Sequence, residues 1–286
     1  MRHALVFGAS GQIGLPLLGL LRRDGWRVSA VSREDQHDIP GLQWLRGDFA
    51  GVAELPRRVD AIFSCGPLDG FARWYAASRI EAPRVVAFGS TSVETKRGSA
   101  DPDERDVAAR LREGEATLYS EAAERAAAAT VLRPTLIYGA GRDATLTRIA
   151  AIAQRFGRFP LPRNATGLRQ PVHVDDLAAA AFACVPAAAS HGRSYALPGG
   201  ETLSYRDMVA RVLAVLEPPP RLIELPSPVF NLALLAAQAS GHATGLGEAA
   251  VRRMRSDLTF DAGPAQRDFG YAPRAFKPER SMFEPR

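Results

Sequence analysis

Four apolar residues, Ala4-Leu5-Val6-Phe7, run without a spacer into Gly8-Ala9-Ser10-Gly11-Gln12-Ile13-Gly14, and this junction restricts the folds open to the chain. A short, continuously apolar run suits a strand buried on both faces. Ile13, Leu17, Leu18, Leu20 and Leu21 then give a following helix a stripe that can pack on a sheet, and Arg22, Arg23 and Asp24 mark its end before Gly25. Between strand and helix the three glycines each serve a physical need, for a tight turn, for close approach of backbone to a pyrophosphate, and for close packing of helix on strand. Free amides at the helix start would face the phosphates. This placement favours a dinucleotide site over a purely structural turn, with Gly8, Ser10, Gly11, Gln12, Ile13 and Gly14 against the cofactor.

With 286 residues, 46% of them hydrophobic, the chain can bury a large core and reads as one large α/β domain or a nucleotide-binding domain with a smaller attachment. The least charged long stretch, Leu225 to Gly247, is broken by prolines, glycines, Asn231, Gln238 and His242, and makes a poor membrane span. The first residues already read as strand, without a basic and apolar leader, so the expected location is cytoplasmic. Cys65 and Cys184 lie far apart in apolar surroundings and are expected as reduced core thiols. The net charge of +5 comes from bases spread along the chain, with no basic and aromatic interleaving, which argues against nucleic acid and for small anionic ligands. The five histidines are widely separated and neither cysteine lies near one at ligand spacing, so no metal site is expected.

Beyond Gly25 the chain alternates strand and helix. Arg27 to Arg33 reads as the second strand and ends about 20 residues past the glycine loop, where a ribose is recognised. A carboxylate there would accept from a 2′-hydroxyl, whereas Ser32 and Arg33 offer a hydroxyl and a planar cation to the 2′-phosphate of NADP. Glu34 leaves NAD open, and a solvated loop arginine is the plainer alternative. A short third strand ends at Asp48, either an acceptor for the adenine amino group or a turn aspartate. Asp60 to Gly66 is the fourth strand, whose end Ser64-Cys65-Gly66 should line the cofactor. Arg84 to Gly89 is the fifth, followed by the hydroxyl cluster Ser90-Thr91-Ser92, which can polarise a carbonyl or simply begin a turn. Asp101 is the expected cap of a long alanine-rich helix, with Pro102 at its first position. Thr130 to Pro134 forms the sixth strand, with Leu136-Ile137-Tyr138-Gly139 as its exit. Ahead of a helix over 177–185, Asp175 or Asp176 reads as a cap in preference to an acid catalyst, and His173 as a packed polar residue in preference to a base.

The glycine loop, Asp48, Gly89-Ser90-Thr91-Ser92, Leu132-Arg133-Pro134-Thr135-Leu136-Ile137-Tyr138-Gly139 and His173-Val174-Asp175-Asp176-Leu177-Ala178 together resemble the extended short-chain dehydrogenase/reductases. That superfamily includes NAD(P)-dependent nucleotide-sugar epimerases and dehydratases. The resemblance implies an α/β fold, a Rossmann-type doubly wound parallel sheet of seven strands with a small C-terminal substrate domain. The expected division is 1–140 with 170–200 for the NAD(P)-binding domain, and 141–169 with 201–286 for the substrate domain. It also implies that Ser90 and Pro134 approach the nicotinamide.

The resemblance breaks at the chemistry. In that superfamily a tyrosine and a lysine four residues later, on the helix after the fifth strand, handle the proton. Here Lys96 and Lys277 are the sole lysines, and none of the six tyrosines has a lysine at that spacing. Matching Gly114-Glu115 to the pair that often follows the motif puts Val107 and Leu111 at the two positions. The chain thus resembles an atypical member.

Toward the C-terminus, Thr202-Leu203-Ser204 caps an amphipathic helix stopped by Pro218-Pro219-Pro220, Arg221 to Pro226 reads as a strand, and 228–239 as an apolar helix. Arg252, Arg253 and Arg255 are either ligands of a nucleotide diphosphate or a solvated face, and Phe269-Gly270-Tyr271 resembles the family's closing turn of the substrate domain. Two functions follow. One is an atypical NADP-favouring oxidoreductase or epimerase acting on a small, phosphorylated or nucleotide-linked hydroxyl or carbonyl compound, with Ser90, Thr91 and Tyr138 as candidate catalytic groups and Tyr119 as a further polar contact. The other is a non-catalytic NADP(H)-binding redox sensor. Neither calls for nucleic acid or membrane as partner, and a homodimer is allowed.

Overall fold

The structure is a computed structural model that describes residues 1–52, 54–239 and 248–283. The chain divides into two compact units, the first Met1–Thr135, Val174–Leu197 and Asp261–Pro273, the second Leu136–His173, Pro198–Phe260 and Arg274–Arg286.

The first unit is built on one sheet. Its strands are β1 (His3–Phe7), β2 (Arg27–Ser32), β3 (Leu42–Asp48), β4 (Gly51–Val52), β5 (Ala61–Ser64), β6 (Arg84–Phe88), β7 (Ala128–Pro134) and an edge strand, Arg193–Leu197. From one side to the other the order is edge strand, β7, β6, β5, β1, β2, β3, β4. All pairings are parallel except that of β4, which folds back antiparallel on the end of β3. Seven parallel strands are therefore present as expected, and the reversal of order between β1 and β5 opens a crevice at their carboxyl ends. Burial explains the strand sequences: every residue of β5 and β6 is buried, because helices cover both faces.

Helix α1 (Gly14–Arg23) buries Leu17, Leu18 and Leu21, and α2 (Leu68–Ala77) buries Leu68, Phe71, Ala72 and Tyr75. A short α3 (Ser92–Thr95) follows β6, and α4 (Pro102–Glu124) begins as its sequence predicts, with the Asp103 amide donating to Asp101 Oδ1 at 2.9 Å. The helix Val174–Ala183 departs from expectation: it starts three residues early, so Asp175 and Asp176 lie inside its first turn instead of capping it. There their charges face the positive end of the helix. The closing helix Gly263–Phe269 also differs from its expected place, since it joins the first unit. Tyr195 of the edge strand stacks edge-on to Phe269 with centroids 5.0 Å apart and donates to Asp268 at 2.6 Å, while Arg193 pairs with Asp268 at 2.7 Å.

Arg84, 7% exposed, pins the far side of this sheet. Its guanidinium donates to the carbonyls of Ala128 and Cys184, both at 2.7 Å, to Val185 O at 3.1 Å and to the hydroxyls of Thr130 and Ser190. A buried charge is tolerated because its donors are met by carbonyls at the end of the Val174–Ala183 helix.

In the second unit Ile137–Tyr138 pairs in parallel with Val172–His173, and Arg158–Pro162 with Arg221–Leu225. The helices Leu146–Phe156 and Tyr205–Ala214 share its core, the latter capped by Ser204, whose hydroxyl accepts from the Asp207 amide at 3.0 Å. The helix Ser227–Ala239 follows the predicted strand. Of the stretch 225–247, residues 240–247 lie outside the described residues.

Candidate functional site

The crevice between β1 and β5 is shaped by glycines that leave no room for a side chain. Gly8 leaves β1 with φ +66°, and a Cβ on it would lie 3.0 Å from the Cys65 carbonyl carbon at the exit of β5. The Gly11 amide donates to the Gly8 carbonyl at 2.9 Å, closing the turn. Gly14 opens α1, and a Cβ there would lie 2.5 Å from the Ala9 carbonyl oxygen and closer still to that of Gly8. Helix, turn and strand end thus meet backbone to backbone. The cap residue Ile13 gives the helix start no side-chain bond and the first turn holds no acid, which leaves its partial positive charge for an anion.

Two polar atoms beside this turn are buried without a hydrogen-bond partner among the described residues: Gln12 Oε1 and the Ser64 hydroxyl, whose residue is 0% exposed. Such atoms are costly unless a ligand or water satisfies them. Glycine cradle, open helix start and orphaned polar atoms together fit a dinucleotide. Cys65, half-buried, is in the same crevice, and burial pushes its thiol up to about 12, which makes it a poor nucleophile at neutral pH.

At the end of β2 the Ser32 hydroxyl lies 3.1 Å from that of Ser10 and accepts from the Glu34 amide at 3.1 Å, which fixes the course of the next two residues. Arg33 is exposed, with no ion pair to a described residue. Asp48, at the end of β3, accepts the Ala50 amide on Oδ1 at 2.8 Å, so one oxygen serves the β3–β4 turn and the other is open for a ligand. Sequence reasoning missed Phe49. Its ring lies where a Cβ on Gly66 or Gly70 would come, at 2.9 and 3.0 Å, and it packs on Phe7 with centroids 5.1 Å apart. Gly66 at the exit of β5 and Gly70 in the first turn of α2 were the signal for a close approach.

Past β6, the Thr91 amide and hydroxyl both donate to the Pro134 carbonyl, at 3.2 and 3.1 Å, and the Ser90 hydroxyl accepts from the Ser92 amide at 3.1 Å. The structure thereby brings Ser90, Thr91 and Pro134 together at the carboxyl ends of neighbouring strands. Behind the turn lies a second group that sequence reasoning did not assign: Glu115 of α4, only 6% exposed, accepts from Arg133 Nε at 2.7 Å. A Cβ on Gly89 would lie 3.5 Å from its Oε1. Arg133 also pairs with Glu94 at 2.9 Å, and hydrogen bonding to Glu115 raises its pKa further. The Tyr119 hydroxyl is 2.8 Å from Ser194, which donates to Glu115 at 3.3 Å, and burial raises the phenol above its ordinary value.

Helix α4 offers Val107 and Leu111 where a tyrosine and lysine were sought, and Lys96 lies 3.9 Å from Glu104 in an ion pair. Tyr138 belongs to the second unit, where it is 1% exposed and packed edge-on between His173 and Phe276, with centroids at 5.1 and 4.8 Å. His173 is packed as expected, its ring filling the space beside Gly139. Of the basic cluster, Arg255 donates to Ser227 at 2.9 Å, and the Arg253 carbonyl accepts from buried Arg169.

No protein-family model matches the chain. The 2-alkyl-3-oxoalkanoate reductase of Stenotrophomonas maltophilia (strain K279a) is 28% identical, with 94% of each chain covered. The ceramide reductase of Caulobacter vibrioides (strain NA1000 / CB15N) is also 28% identical, over 78% of this chain and 73% of its own. Among solved structures, the UDP-glucuronic acid 4-epimerase from Bacillus cereus in complex with NAD superposes with a TM-score of 0.70 at 12% identity, covering 96% of this chain and 93% of that one. That likeness is one of fold.

Proposed function

We propose that the chain is an atypical member of the short-chain dehydrogenase/reductase superfamily, an NAD(P)-dependent oxidoreductase or epimerase that prefers NADP and acts on a hydroxyl or carbonyl compound. The observation that carries this reading is the contact of Gly14 with the Gly8 and Ala9 carbonyls at the β1–β5 crevice, a fit that brings amides to a pyrophosphate. A bound nicotinamide dinucleotide supplies a hydride donor or acceptor. The chain's own groups then bind and orient: the turn from Gly8 to Gly14 holds the pyrophosphate, Arg33 the 2′-phosphate, and the open oxygen of Asp48 the adenine. Ser64, Cys65, Gly66 and Pro134 wall the crevice. Ser90 and Thr91 offer hydroxyls at the end of β6, and Glu115 and Arg133 brace the neighbouring end of β7. Tyr138 stays a candidate whose ring is engaged in packing.

The substrate carrier divides two ways. Two of the curated relatives are named as reductases, of a 2-alkyl-3-oxoalkanoate and of ceramide, whereas the solved neighbours include a UDP-glucuronic acid 4-epimerase. The experiment is NADPH oxidation measured against 3-oxoacyl compounds, simple ketones and nucleotide sugars. With no tyrosine–lysine pair, turnover of simple ketones is expected to be slow, since a positioned proton donor is worth about 10²- to 10⁴-fold. Rapid reduction of simple ketones overturns the atypical chemistry, and failure to bind either dinucleotide overturns the reading altogether.

The missing pair favours a second reading, a redox sensor that binds NADP(H) without turnover. Tight binding with no turnover of any of the three substrate classes selects it.

A further inference from the structure

The helix Ser227–Ala239 of the second unit carries no charged residue in its 13 positions. Phe230, 7% exposed, anchors one side of it. On the other side Val229, Leu232 and Leu235 are 50%, 70% and 62% exposed. Their three-residue spacing sets them along one stripe, since successive residues turn by about 100°. A helix apolar on its buried and its open side is not the pattern of a solvated surface helix.

Cations border the start of this helix. Arg255, exposed, donates to Ser227 Oγ at 2.9 Å, and Arg252, also exposed, precedes it by three residues. The amide of exposed Arg163 donates to the Leu225 carbonyl at 2.9 Å, two residues ahead of the helix. Glu224, three residues ahead of the helix, is paired with Arg206. Open leucines flanked by exposed arginines that form no ion pair among the described residues complement an anionic lipid bilayer, whose interface takes up apolar side chains while its headgroups attract the cations.

We propose that this helix lies on an anionic membrane surface, with Val229, Leu232 and Leu235 entering the interface and Arg163, Arg252 and Arg255 meeting the headgroups. This is adsorption and not spanning: among the described residues no helix is long and apolar enough to cross a bilayer. The expectation of no membrane partner followed from the poor fit of Leu225 to Gly247 to a span, and adsorption needs no span.

The test is sedimentation of the full chain with phosphatidylcholine vesicles that contain or lack phosphatidylglycerol. Wild-type protein is expected to sediment with the anionic vesicles and to be partly released by salt. Leu232→Ser with Leu235→Ser is expected to reduce partitioning by about tenfold or more, and Arg252→Glu with Arg255→Glu by a similar factor. NADPH titration of each variant serves as the fold control and separates this proposal from the cofactor reading. Three results overturn it. Wild-type protein left in the supernatant removes the surface outright. A leucine variant that binds as well as wild type shows adsorption through net charge only. A concentration-dependent dimer that the leucine substitutions abolish, without vesicle binding, gives the face to a second copy.

Discussion

Arg133 of β7 and Glu115 of α4, eighteen positions apart, are joined by two hydrogen bonds, Nε to Oε1 at 2.7 Å and Nη2 to Oε2. The pair ties the strand that ends in Pro134 to the helix that runs behind Ser90. Removing the carboxylate leaves a half-buried guanidinium with Glu94 as its partner. Glu115→Ala is expected to cost about 2 kcal/mol, below the usual cost of breaking a buried pair because Arg133 keeps that second acid. A urea midpoint unchanged from wild type would show that the pair is dispensable.

Gly14 permits no side chain at all, because even a methyl would press on the Gly8 and Ala9 carbonyls. Gly14→Ala must therefore move the turn off the helix. NADPH binding by calorimetry should fall by at least about tenfold, with the far-ultraviolet spectrum retained. Undiminished affinity in the folded variant would place the cofactor elsewhere.

Arg33 is exposed at the end of β2, while Ser32 is committed to Ser10 and to the Glu34 amide. The arginine is thus the group left to read a 2′-phosphate. A charge-assisted bond of about 1.5 to 3 kcal/mol corresponds to roughly ten- to a hundredfold in affinity. Arg33→Ala is expected to weaken NADPH by that factor and to spare NADH. Equal wild-type affinity for the two cofactors would remove the preference.

Cys65 and Cys184 are both pushed up to about 12 by burial. Between about pH 9 and pH 12 the unfolded chain loses these thiol protons while the folded chain keeps them, so the unfolded state binds fewer protons and stability falls as pH rises. Below that window the contribution is fully present. Native protein at about pH 8 should leave both thiols unlabelled by a thiol reagent until denatured, and stability should decline on going to about pH 10. Rapid labelling of either cysteine in the native state would contradict this.

The first unit was legible wherever a local pattern decides structure. Ala4 to Leu21 specified strand, turn and helix because a continuous apolar run, three glycines and a 3.6-residue stripe each act within a few positions. The capped start of α4 is present for the same kind of reason, and the seven parallel strands that the resemblance implied are present as well. Local pattern could not join Glu115 to Arg133 and Ser194, bring Phe49 over Gly66 and Gly70, or dock the Gly263–Phe269 helix on Tyr195. Each of those contacts depends on where the sheet's topology brings distant segments together. Tyr138 shows the same division: its sequence position marks a strand exit, whereas the rings of His173 and Phe276, supplied by segments far along the chain, determine that it is buried. The exposed leucines of Ser227–Ala239 are the converse case. Their apolarity is written in the sequence, but only the packing of Phe230 decides which side of the helix is left open.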